Sequence, residues 1–334
     1  MTNPSVAHRS TPDNTSPSGQ DAGAALICGS MAYDNIMVFD DRFKNHILPD
    51  KLDILNVSFL ISGMRREFGG CAGNIAYSLA SLGGRALPMA TVGNDFSAYA
   101  DWMDARGITR RYLEPIDDAL TGQAFVITDR DNNQITAFYP GAMNFSHRNT
   151  IGGAAGENIR VGIVSPDGRD GMIQHAAELA ERNIPFLFDP GQGMPMFGKE
   201  ELNAFLEQAT WVAVNGYEWE MLRERTGLSA AQVLERVQAL IVTQGERGSA
   251  IHTARGEIEV PVLPVAQALD PTGCGDAYRG GILYGLLRGM DWETMGRIAT
   301  LMGSINAEYM GTQSYRLTPD RIKERFTAAF GYSY

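Results

Sequence analysis

The sequence predicts an α/β fold, a three-layer α/β/α sandwich in which helices cover both faces of a mostly parallel central sheet. Two observations favour this fold. Through the second half of the chain, short apolar runs alternate with helical segments, which is typical of parallel strands joined by helical crossovers. Two excursions from that alternation, at 36–68 and 120–142, hold short strand-like runs, and we expect them to pair into one small second sheet.

The first half of the chain begins with a polar stretch. Residues 1–22 are rich in Ser, Thr, Pro, Asn and Asp, so we expect a disordered tail there and one folded domain over 23–334. An apolar run at 24–28 predicts a buried first strand. Helices are expected from 69 through 82, where two glycines end the pattern, and over 96–106.

Both excursions are interpreted as strands. In the first, apolar runs such as 54–60 mix with charges and show no helical period. In the second, runs at 124–128 and 134–139 flank a turn rich in Asp and Asn, which predicts a β-hairpin.

The second half supplies further strands of the central sheet. Polar residues follow several of them, and the ligands of parallel sheets gather at the carboxyl ends of the strands. The predicted strands are 161–165, 185–189, 211–215 and 240–243, and the helical segments are 169–183, 199–209, 217–226 and 229–238.

Composition argues against several classes of function. The net charge is −11, from 28 basic and 39 acidic residues, which argues against a surface for nucleic acid or an anionic membrane. The three cysteines are far apart, so we expect neither a disulfide framework nor a CxxC metal site, and the five histidines show no metal-ligand spacing. No apolar run has the length of a membrane span or the form of a signal peptide, so we expect a cytoplasmic protein.

The segment 270–281 carries the strongest functional signal. Residues 273–276, Gly-Cys-Gly-Asp, stand at the start of an apolar helix pattern, where free backbone N–H groups and the helix dipole form an anion site. If the anion is a transferred phosphoryl group, the carboxylate beside it can take the proton from the attacking hydroxyl. The alternative is a capped helix with a favourable Asp in its first turn. A dinucleotide site does not fit, since Tyr278 stands where the third glycine of G-x-G-x-x-G belongs.

Asn215 and Glu218 stand where a strand turns into a helix. An amide and a carboxylate there can hold phosphates and a hydrated Mg²⁺, which prefers few protein ligands and several waters. The alternative is a helix start with Glu in its first turn. The segment 242–248 is a strand that ends in a glycine turn, which either approaches a nucleotide closely or is a plain β-hairpin turn.

Residues 193–200 almost match the phosphate-binding pattern G-x-x-x-x-G-K-[ST]. Glu200 replaces the hydroxyl that binds Mg²⁺, and Pro195 removes one backbone N–H from the cradle. We therefore expect Lys199 to be an ordinary surface residue that opens a helix.

Asp34, Gly69, Gly70 and Asn74 are candidates for a cluster that binds a sugar. The Asp34 carboxylate can accept hydrogen bonds from two vicinal hydroxyls, and the Asn74 amide can both donate and accept. Each of these residues also fits an ordinary turn or cap. Phe138 can offer an aromatic face to a planar base, although core packing is the commoner fate of an aromatic side chain in a strand.

These motifs occur together and in the order of one family. From about residue 24 to 330 the chain resembles the ribokinase-like (PfkB) sugar and nucleoside kinases: residues 69–74 resemble the first motif of the family, residues 270–276 the second, and Asn215-x-x-Glu218 its Mg²⁺ and phosphate motif. Within the family the chain looks closest to the bacterial adenosine kinases. The similar segments are 29–34, 42–49, 58–60, 138–143, 217–219 and 311–313.

The resemblance implies an ATP-dependent kinase that phosphorylates the ribose 5′-hydroxyl of a nucleoside, with adenosine as the first candidate. It implies Mg²⁺, ATP as co-substrate and a small β-sheet lid, which in such enzymes often also forms a homodimer; K⁺ activation stays open. Asp276 would be the base, and Gly273, Cys274 and Gly275 would complete the anion site. The implied binding residues are Ser30, Asp34, Gly70 and Asn74 for the ribose, Ser58, Phe138 and Gln192 for the base, Asn215 and Glu218 for Mg·ATP, with Glu218 holding the metal through water, and Thr243, Gly245, Gly248 and Asn306 for the nucleotide.

Two departures from the bacterial adenosine kinases affect the expected substrate. An aromatic residue is expected near Ala124 and a second Gln near Gly193, and their loss predicts a looser base pocket and a broader range of nucleosides. A sugar kinase of the same family, with a ribose- or fructose-type substrate, is the first alternative. A non-catalytic nucleotide-binding protein is the second, but the presence of Gly275 and Asp276 argues against it.

Overall fold

A computed structural model describes residues 23–47, 49–54, 56–131 and 133–334, so the predicted tail at 1–22 lies outside the described residues. Its strands are β1 (Ala24–Cys28), β2 (Ala32–Phe39), β3 (Ile61–Gly69), β4 (Arg85–Gly93), β5 (Tyr112–Ile116), β6 (Gly122–Thr128), β7 (Gln134–Tyr139), β8 (Ile159–Val164), β9 (Phe186–Phe188), β10 (Trp211–Asn215), β11 (Ala239–Thr243), β12 (Ser249–Thr253) and β13 (Gly256–Val260). Its α-helices are α1 (Cys71–Ser81), α2 (Ser97–Asp104), α3 (Arg169–Glu181), α4 (Lys199–Gln208), α5 (Gly216–Thr226), α6 (Ala230–Leu234), α7 (Cys274–Leu287), α8 (Trp292–Ala307) and α9 (Pro319–Phe330).

The central sheet has nine strands in the order β13-β12-β11-β10-β9-β8-β1-β4-β5. Its strands from β11 to β5 pair in parallel, and β12 and β13 add an antiparallel edge. The predicted mostly parallel sheet is therefore confirmed. All five residues of β1 are buried, as expected for a strand that is covered on both faces.

Two apolar cores cover the two faces of this sheet. Because side chains alternate along a strand, Ala25 and Ile27 of β1 pack with α1, α2, α7, α8 and α9, whereas Leu26 and Cys28 pack with α3, α4, α5 and α6. The helices thus form two layers around the sheet, which confirms the predicted three-layer sandwich. Among the described residues, no helix is both long and apolar enough to cross a bilayer.

The second sheet has four strands in the order β3-β2-β6-β7. It joins the two excursions: β2 pairs antiparallel with β3 and parallel with β6, and β6 and β7 form the predicted hairpin. Asp34, Ala124 and Phe138 are direct partners across β2, β6 and β7, so they stand on one face of this sheet.

One predicted element was wrong, and another is shorter than predicted. The run 54–60 is not a strand, because a 3₁₀ helix, Pro49–Ile54, occupies its start and the pairing of β2 with β3 begins only at Ile61. The apolar side chains of Ile54 and Leu60 are consequently exposed. The helix predicted over 229–238 stops at Leu234, since the chain tightens into a 3₁₀-type turn before β11.

Close packing of α7 on α8 sets the position of the segment that carried the strongest sequence signal. A Cβ on Gly281 would lie 2.5 Å from the Cα of Ala299, and a Cβ on Gly285 would overlap the side chain of Met295. The two glycines therefore let the helix axes approach closely. The N-terminus of α7 is held in this way at the carboxyl edge of the central sheet.

Candidate active site

The anion site predicted at residues 273–276 is an uncapped helix N-terminus. Gly273 precedes α7 with a left-handed φ of 77°, and a Cβ there would lie 2.7 Å from Cγ2 of Thr312. Both the backbone conformation and the neighbouring side chain therefore require glycine. No side chain of the described residues caps the first turn. Its backbone N–H groups can therefore bind an anion.

Asn306 holds this segment from behind. Its Nδ2 donates to the carbonyl of Thr272 at 2.7 Å and lies 3.6 Å from Sγ of Cys274, while the whole residue is buried. The structure thus shows Asn306 fixing the turn before α7. Its predicted contact with a nucleotide stays a prediction.

Asp276 lies in the first turn of α7 with a carboxyl group poised to exchange a proton. The pKa of Asp276 is raised to about 7, because burial and the charge of the neighbouring Asp189 outweigh the opposing effects of a hydrogen bond from Asn74 and the charge of Arg279. The Nδ2 of Asn74 donates to Oδ2 of Asp276 at 2.8 Å. A predicted ribose residue and the predicted base are therefore in direct contact, and near neutral pH the carboxyl group can both accept and release a proton.

A buried ion pair accompanies Asp276. Arg279, one turn further along α7, donates from Nε and Nη2 to the two carboxylate oxygens of Asp189 at 3.1 and 2.9 Å, and both side chains are 5% exposed. The charge of the guanidinium also opposes the rise in pKa that burial causes at Glu218 and Asp276. Arg279 was not predicted from the sequence, although its spacing of three residues from Asp276 places both side chains on one helix face.

Asn215 and Glu218 form a reciprocal cap at the start of α5. The Asn215 side chain accepts from the backbone N–H of Glu218 at 2.8 Å, and Glu218 accepts from the backbone N–H and Nδ2 of Asn215 at 2.7 and 2.8 Å. Burial, and then the charge of Asp189, raise the pKa of Glu218. The helix-start interpretation is therefore correct, and the same cap aims a carboxylate at the site.

The sugar cluster assembles around Asp34 on β2. Burial, together with the charges of Glu67 and Asp270, raises the pKa of Asp34 to about 6. A Cβ on Gly69 would overlap the Asp34 carboxylate, and Gly70 has a φ of 84°. Gly69 therefore leaves room for the Asp34 carboxylate, and Gly70 lets the backbone pass close to the main chain of Ser30 and Ala32.

Four other predicted ligand residues make no direct contact with Asp34 or Asp276 among the contacts described above. Ser30 accepts a hydrogen bond from the backbone N–H of Cys71 at 3.1 Å, so it lies at the start of α1. Gln192 is exposed on a 3₁₀ helix after β9, and Ser58 is exposed in the connection before β3. Phe138 is 53% exposed and shares a sheet face with Asp34.

The remaining nucleotide candidates lie at one end of the central sheet. Thr243 ends β11, and Gly245 and Gly248 lie in the short turn that joins it to the antiparallel β12, so 242–248 is a β-hairpin. The rejected P-loop segment is a 3₁₀ helix that contains Pro195, and Lys199 is exposed at the start of α4, as expected.

A contact between the small sheet and the turn before α7 was also missed from sequence. Arg65 of β3 lies with Nη2 3.5 Å from Oδ2 of Asp270 and with Nε 3.2 Å from Oε1 of Glu67. Asp270 in turn accepts from the backbone N–H groups of Thr272 and Gly311. The small sheet is thereby tied to the turn that precedes α7.

A model of the pfkB family of carbohydrate kinases matches residues 34–319. The chain belongs to this family. The predicted membership of the ribokinase-like (PfkB) kinases is confirmed, and with it an ATP-dependent phosphotransferase that has an alcohol group as acceptor.

Relatives of the pfkB family are similar over most of the chain. The nucleoside kinase of Methanocaldococcus jannaschii is 34% identical over 272 residues, 81% of this chain and 89% of the relative. The structure of Burkholderia thailandensis nucleoside kinase in complex with inosine has 50% identity and a TM-score of 0.85, and the match covers 93% of this chain and 99% of that one. The same enzyme in complex with ADP-inosine has 51% identity and a TM-score of 0.82 over 93% and 97% of the chains. Ribokinase from Thermotoga maritima, with 22% identity, a TM-score of 0.75 and coverage of 92% and 99%, shares the fold.

Replacing Arg279 by Met should destabilise the protein by about 3–5 kcal/mol, because it leaves the buried carboxylate of Asp189 without its partner. Urea denaturation measures the loss. The double variant Arg279→Met/Asp189→Leu should recover most of it, since an apolar pair of similar volume can replace a buried ion pair. Arg223→Met, which removes an exposed pair with Glu220, is the control and should change stability by less than about 0.5 kcal/mol.

Proposed function

We propose that this pfkB kinase is an ATP-dependent nucleoside kinase that transfers the γ-phosphoryl group to the ribose 5′-hydroxyl, with adenosine as first candidate and other nucleosides accepted. The observation that carries the proposal is the contact of Asn74 with Asp276 beside the uncapped N-terminus of α7. This hydrogen bond joins the proposed sugar-binding amide to the proposed base, and the base lies in the first turn of the helix whose N-terminus is the proposed anion site. The similarity to two nucleoside kinases supports the choice of acceptor.

In the proposed reaction the 5′-oxygen attacks the γ-phosphorus of ATP in line. A bond forms between them, the bond from the γ-phosphorus to the oxygen that bridges it to the β-phosphorus breaks, and the hydroxyl proton passes to the Asp276 carboxylate. Backbone N–H groups of residues 273–276 stabilise the charge on the transferred group. ADP and the nucleoside 5′-monophosphate leave, and Asp276 returns its proton to solvent.

The acceptor would bind between the small sheet and the anion site. Asp34 would accept hydrogen bonds from two ribose hydroxyls, with Ser30, Gly70 and Asn74 around the sugar. Phe138 lies two strands away on the same face, about 10 Å from Asp34 at the usual strand spacing, so the base would extend toward its ring. Gln192 and Ser58 are the polar candidates for the base edge.

The small residues at two further positions favour a broad choice of base. Ala124 stands between Asp34 and Phe138 in the register, and it offers a methyl group where related adenosine kinases are expected to carry a ring. Gly193 has no side-chain amide, whereas a second Gln is expected near this position in the related adenosine kinases. A pocket with less stacking and fewer base-specific hydrogen bonds discriminates weakly between bases.

ATP would lie along the end of the central sheet, near Thr243, Gly245, Gly248 and Asn306. Asp189, Glu218 and Asp276 surround one guanidinium, so the site carries an excess of negative charge that suits a cation. Among the described residues no group of three His, Cys, Asp or Glu side chains can cage a metal, which fits a hydrated Mg²⁺ held through water at Glu218. When bound, Mg²⁺ would neutralise phosphate charge.

ADP release in the presence of ATP and Mg²⁺, measured with a panel of nucleosides and sugars and with and without K⁺, tests the proposal. We expect turnover with adenosine and inosine and far less with ribose or fructose. Asp276→Asn should lower kcat by about 10²–10⁴-fold, because it cannot accept the proton, while nucleoside still binds in calorimetry. Turnover restricted to free sugars would contradict the proposed acceptor, and near-normal kcat of Asp276→Asn would contradict the base.

The pH dependence of kcat/KM for the nucleoside should show two ionisations on its acid side. Asp276 must be deprotonated to act as base, so activity should fall below pH about 7, and it should fall more steeply below about 6, where Asp34 becomes protonated and loses its acceptor role. Asp34→Asn should raise KM and abolish the steeper segment alone. A profile that stays flat between pH about 5.5 and about 8 would contradict the roles proposed for both Asp34 and Asp276.

A homodimer through the small sheet is part of the same proposal. On the face away from Asp34, a row of four apolar side chains crosses the sheet in register, and the edge strand β7 is exposed throughout. Exposed apolar side chains at both ends of this row and an open edge favour association with a second copy. The row consists of Met64, Met37, Ile127 and Ile135.

The double variant Met64→Lys/Ile135→Lys should convert the proposed dimer to monomer, because both side chains are exposed and would bring like charges together across the interface. Light scattering coupled to gel filtration measures the mass. Val262→Lys, at an exposed apolar residue outside the small sheet, is the control and should stay dimeric. A monomeric wild type, or a dimer that survives the double variant, would contradict this interface.

A further inference from the structure

A chain of polar side chains connects α2 with Asp276. Nε1 of Trp102 donates to Oε1 of Gln313 at 3.1 Å, and Nε2 of Gln313 donates to Oδ1 of Asn74 at 2.9 Å. Nδ2 of Asn74 then donates to Oδ2 of Asp276 at 2.8 Å. Three hydrogen bonds thus run in one direction from an indole to the proposed base.

The direction of this chain is fixed by the chemistry of its first members. The indole N–H of Trp102 can only donate, so Gln313 must turn its oxygen toward it. The hydroxyl of Tyr99 gives its hydrogen to the carbonyl of Gly69 at 2.9 Å, so it can only accept from Gln313, whose Nε2 lies at 2.6 Å. Two independent restraints therefore hold the Gln313 amide in one orientation.

That orientation determines what Asn74 can offer to Asp276. Both N–H groups of the Gln313 amide are already engaged, one with Tyr99 and one with Oδ1 of Asn74. Asn74 must then present its own N–H to the Asp276 carboxylate. If Asn74 were free to turn, its oxygen could accept a hydrogen bond from protonated Asp276 and stabilise the neutral acid.

The surroundings keep the restraint intact. Tyr99 is fully buried, and Gln313 and Asn74 are 4% and 5% exposed, so water cannot readily replace a member of the chain. Gly73 makes the space, because a Cβ there would overlap the Tyr99 hydroxyl and lie 3.1 Å from Nε2 of Gln313.

We propose that Gln313 is a positioning residue for phosphoryl transfer: held by Trp102 and Tyr99, it fixes the Asn74 amide so that an N–H faces Asp276 and the neutral acid finds no acceptor at Asn74. The inference rests on the proposed function, in which Asp276 is the base. In this role Gln313 favours the ionised form of Asp276.

Gln313→Glu is the direct test. A carboxylate cannot donate to Asn74, so the Asn74 amide should turn its N–H toward Glu and its oxygen toward Asp276. The pKa of Asp276 should then rise by about one pH unit, the value of one hydrogen bond to a charged group. The acid limb of the kcat/KM profile should shift to higher pH by the same amount, so that kcat/KM at pH 6 falls about tenfold.

A second variant separates the effect of the fixed Asn74 orientation from the effect of the charge that Glu introduces. Tyr99→Phe/Trp102→Phe adds no charge and removes both restraints, so the Gln313 amide can turn over. The pKa of Asp276 should rise by about half a unit or more in this double variant, whereas each single variant keeps one restraint and should leave it unchanged. If the double variant does not fold, Gln313→Met, which is uncharged and cannot donate to Asn74, replaces it.

The ¹³Cγ chemical shift of Asp276, titrated in protein labelled at aspartate and assigned by the loss of its signal in Asp276→Asn, measures this pKa without using activity. A higher pKa of Asp276 in Gln313→Glu and in the uncharged variant supports the proposal that Gln313 fixes the orientation of Asn74. An unmoved pKa in the uncharged variant overturns it, since the effect of Glu would then be one of charge alone. Full activity of Asp276→Asn would overturn the proposed base, yet the titration would still decide whether Gln313 controls the carboxyl group.

Discussion

The buried ion pair between Arg279 and Asp189 is the interaction on which the rest of the active site depends. Three carboxylates lie around this guanidinium, and burial raises the pKa of Glu218 and Asp276. Without a cation inside the cluster, the electrostatic penalty of one buried and two partly buried carboxylates would favour protonation or unfolding. The pair also joins α7 to the end of β9, so it fixes the anion site against the edge of the sheet.

Several side chains serve folding and function at the same place. Asn215 and Glu218 cap α5, and Ser30 accepts a hydrogen bond at the start of α1. Asn306 donates a hydrogen bond to the turn before α7. A capping interaction orients a polar group as firmly as a binding site requires. The ordinary structural interpretation of these residues therefore does not compete with the functional one.

The sequence predicted what depends on local pattern. Alternation placed β10 and the hairpin of β6 and β7 correctly, and the Gly-Cys-Gly-Asp segment indicated an anion site because its signal lies within one turn of helix. It missed Arg65 and Gln313, whose partners are far away in the chain: Arg65 reaches Asp270 across 205 residues and Gln313 reaches Asn74 across 239. Such contacts are set by the tertiary fold. The strand expected at 54–60 failed for the same reason, since an apolar run needs a partner strand and none was in register.

The small sheet is assembled from distant pieces of the chain, and this has a consequence for folding order. Asn35 of β2 and Gln123 of β6, which are linked by a hydrogen bond, are 88 residues apart, and the strands β4 and β5 of the central sheet lie between them in the chain. Loop closure over such a separation is favourable only after the intervening chain has been ordered. The small sheet should therefore form after the central sheet and open before it. Its backbone amides would exchange with solvent through sub-global opening at a free energy below that of complete unfolding.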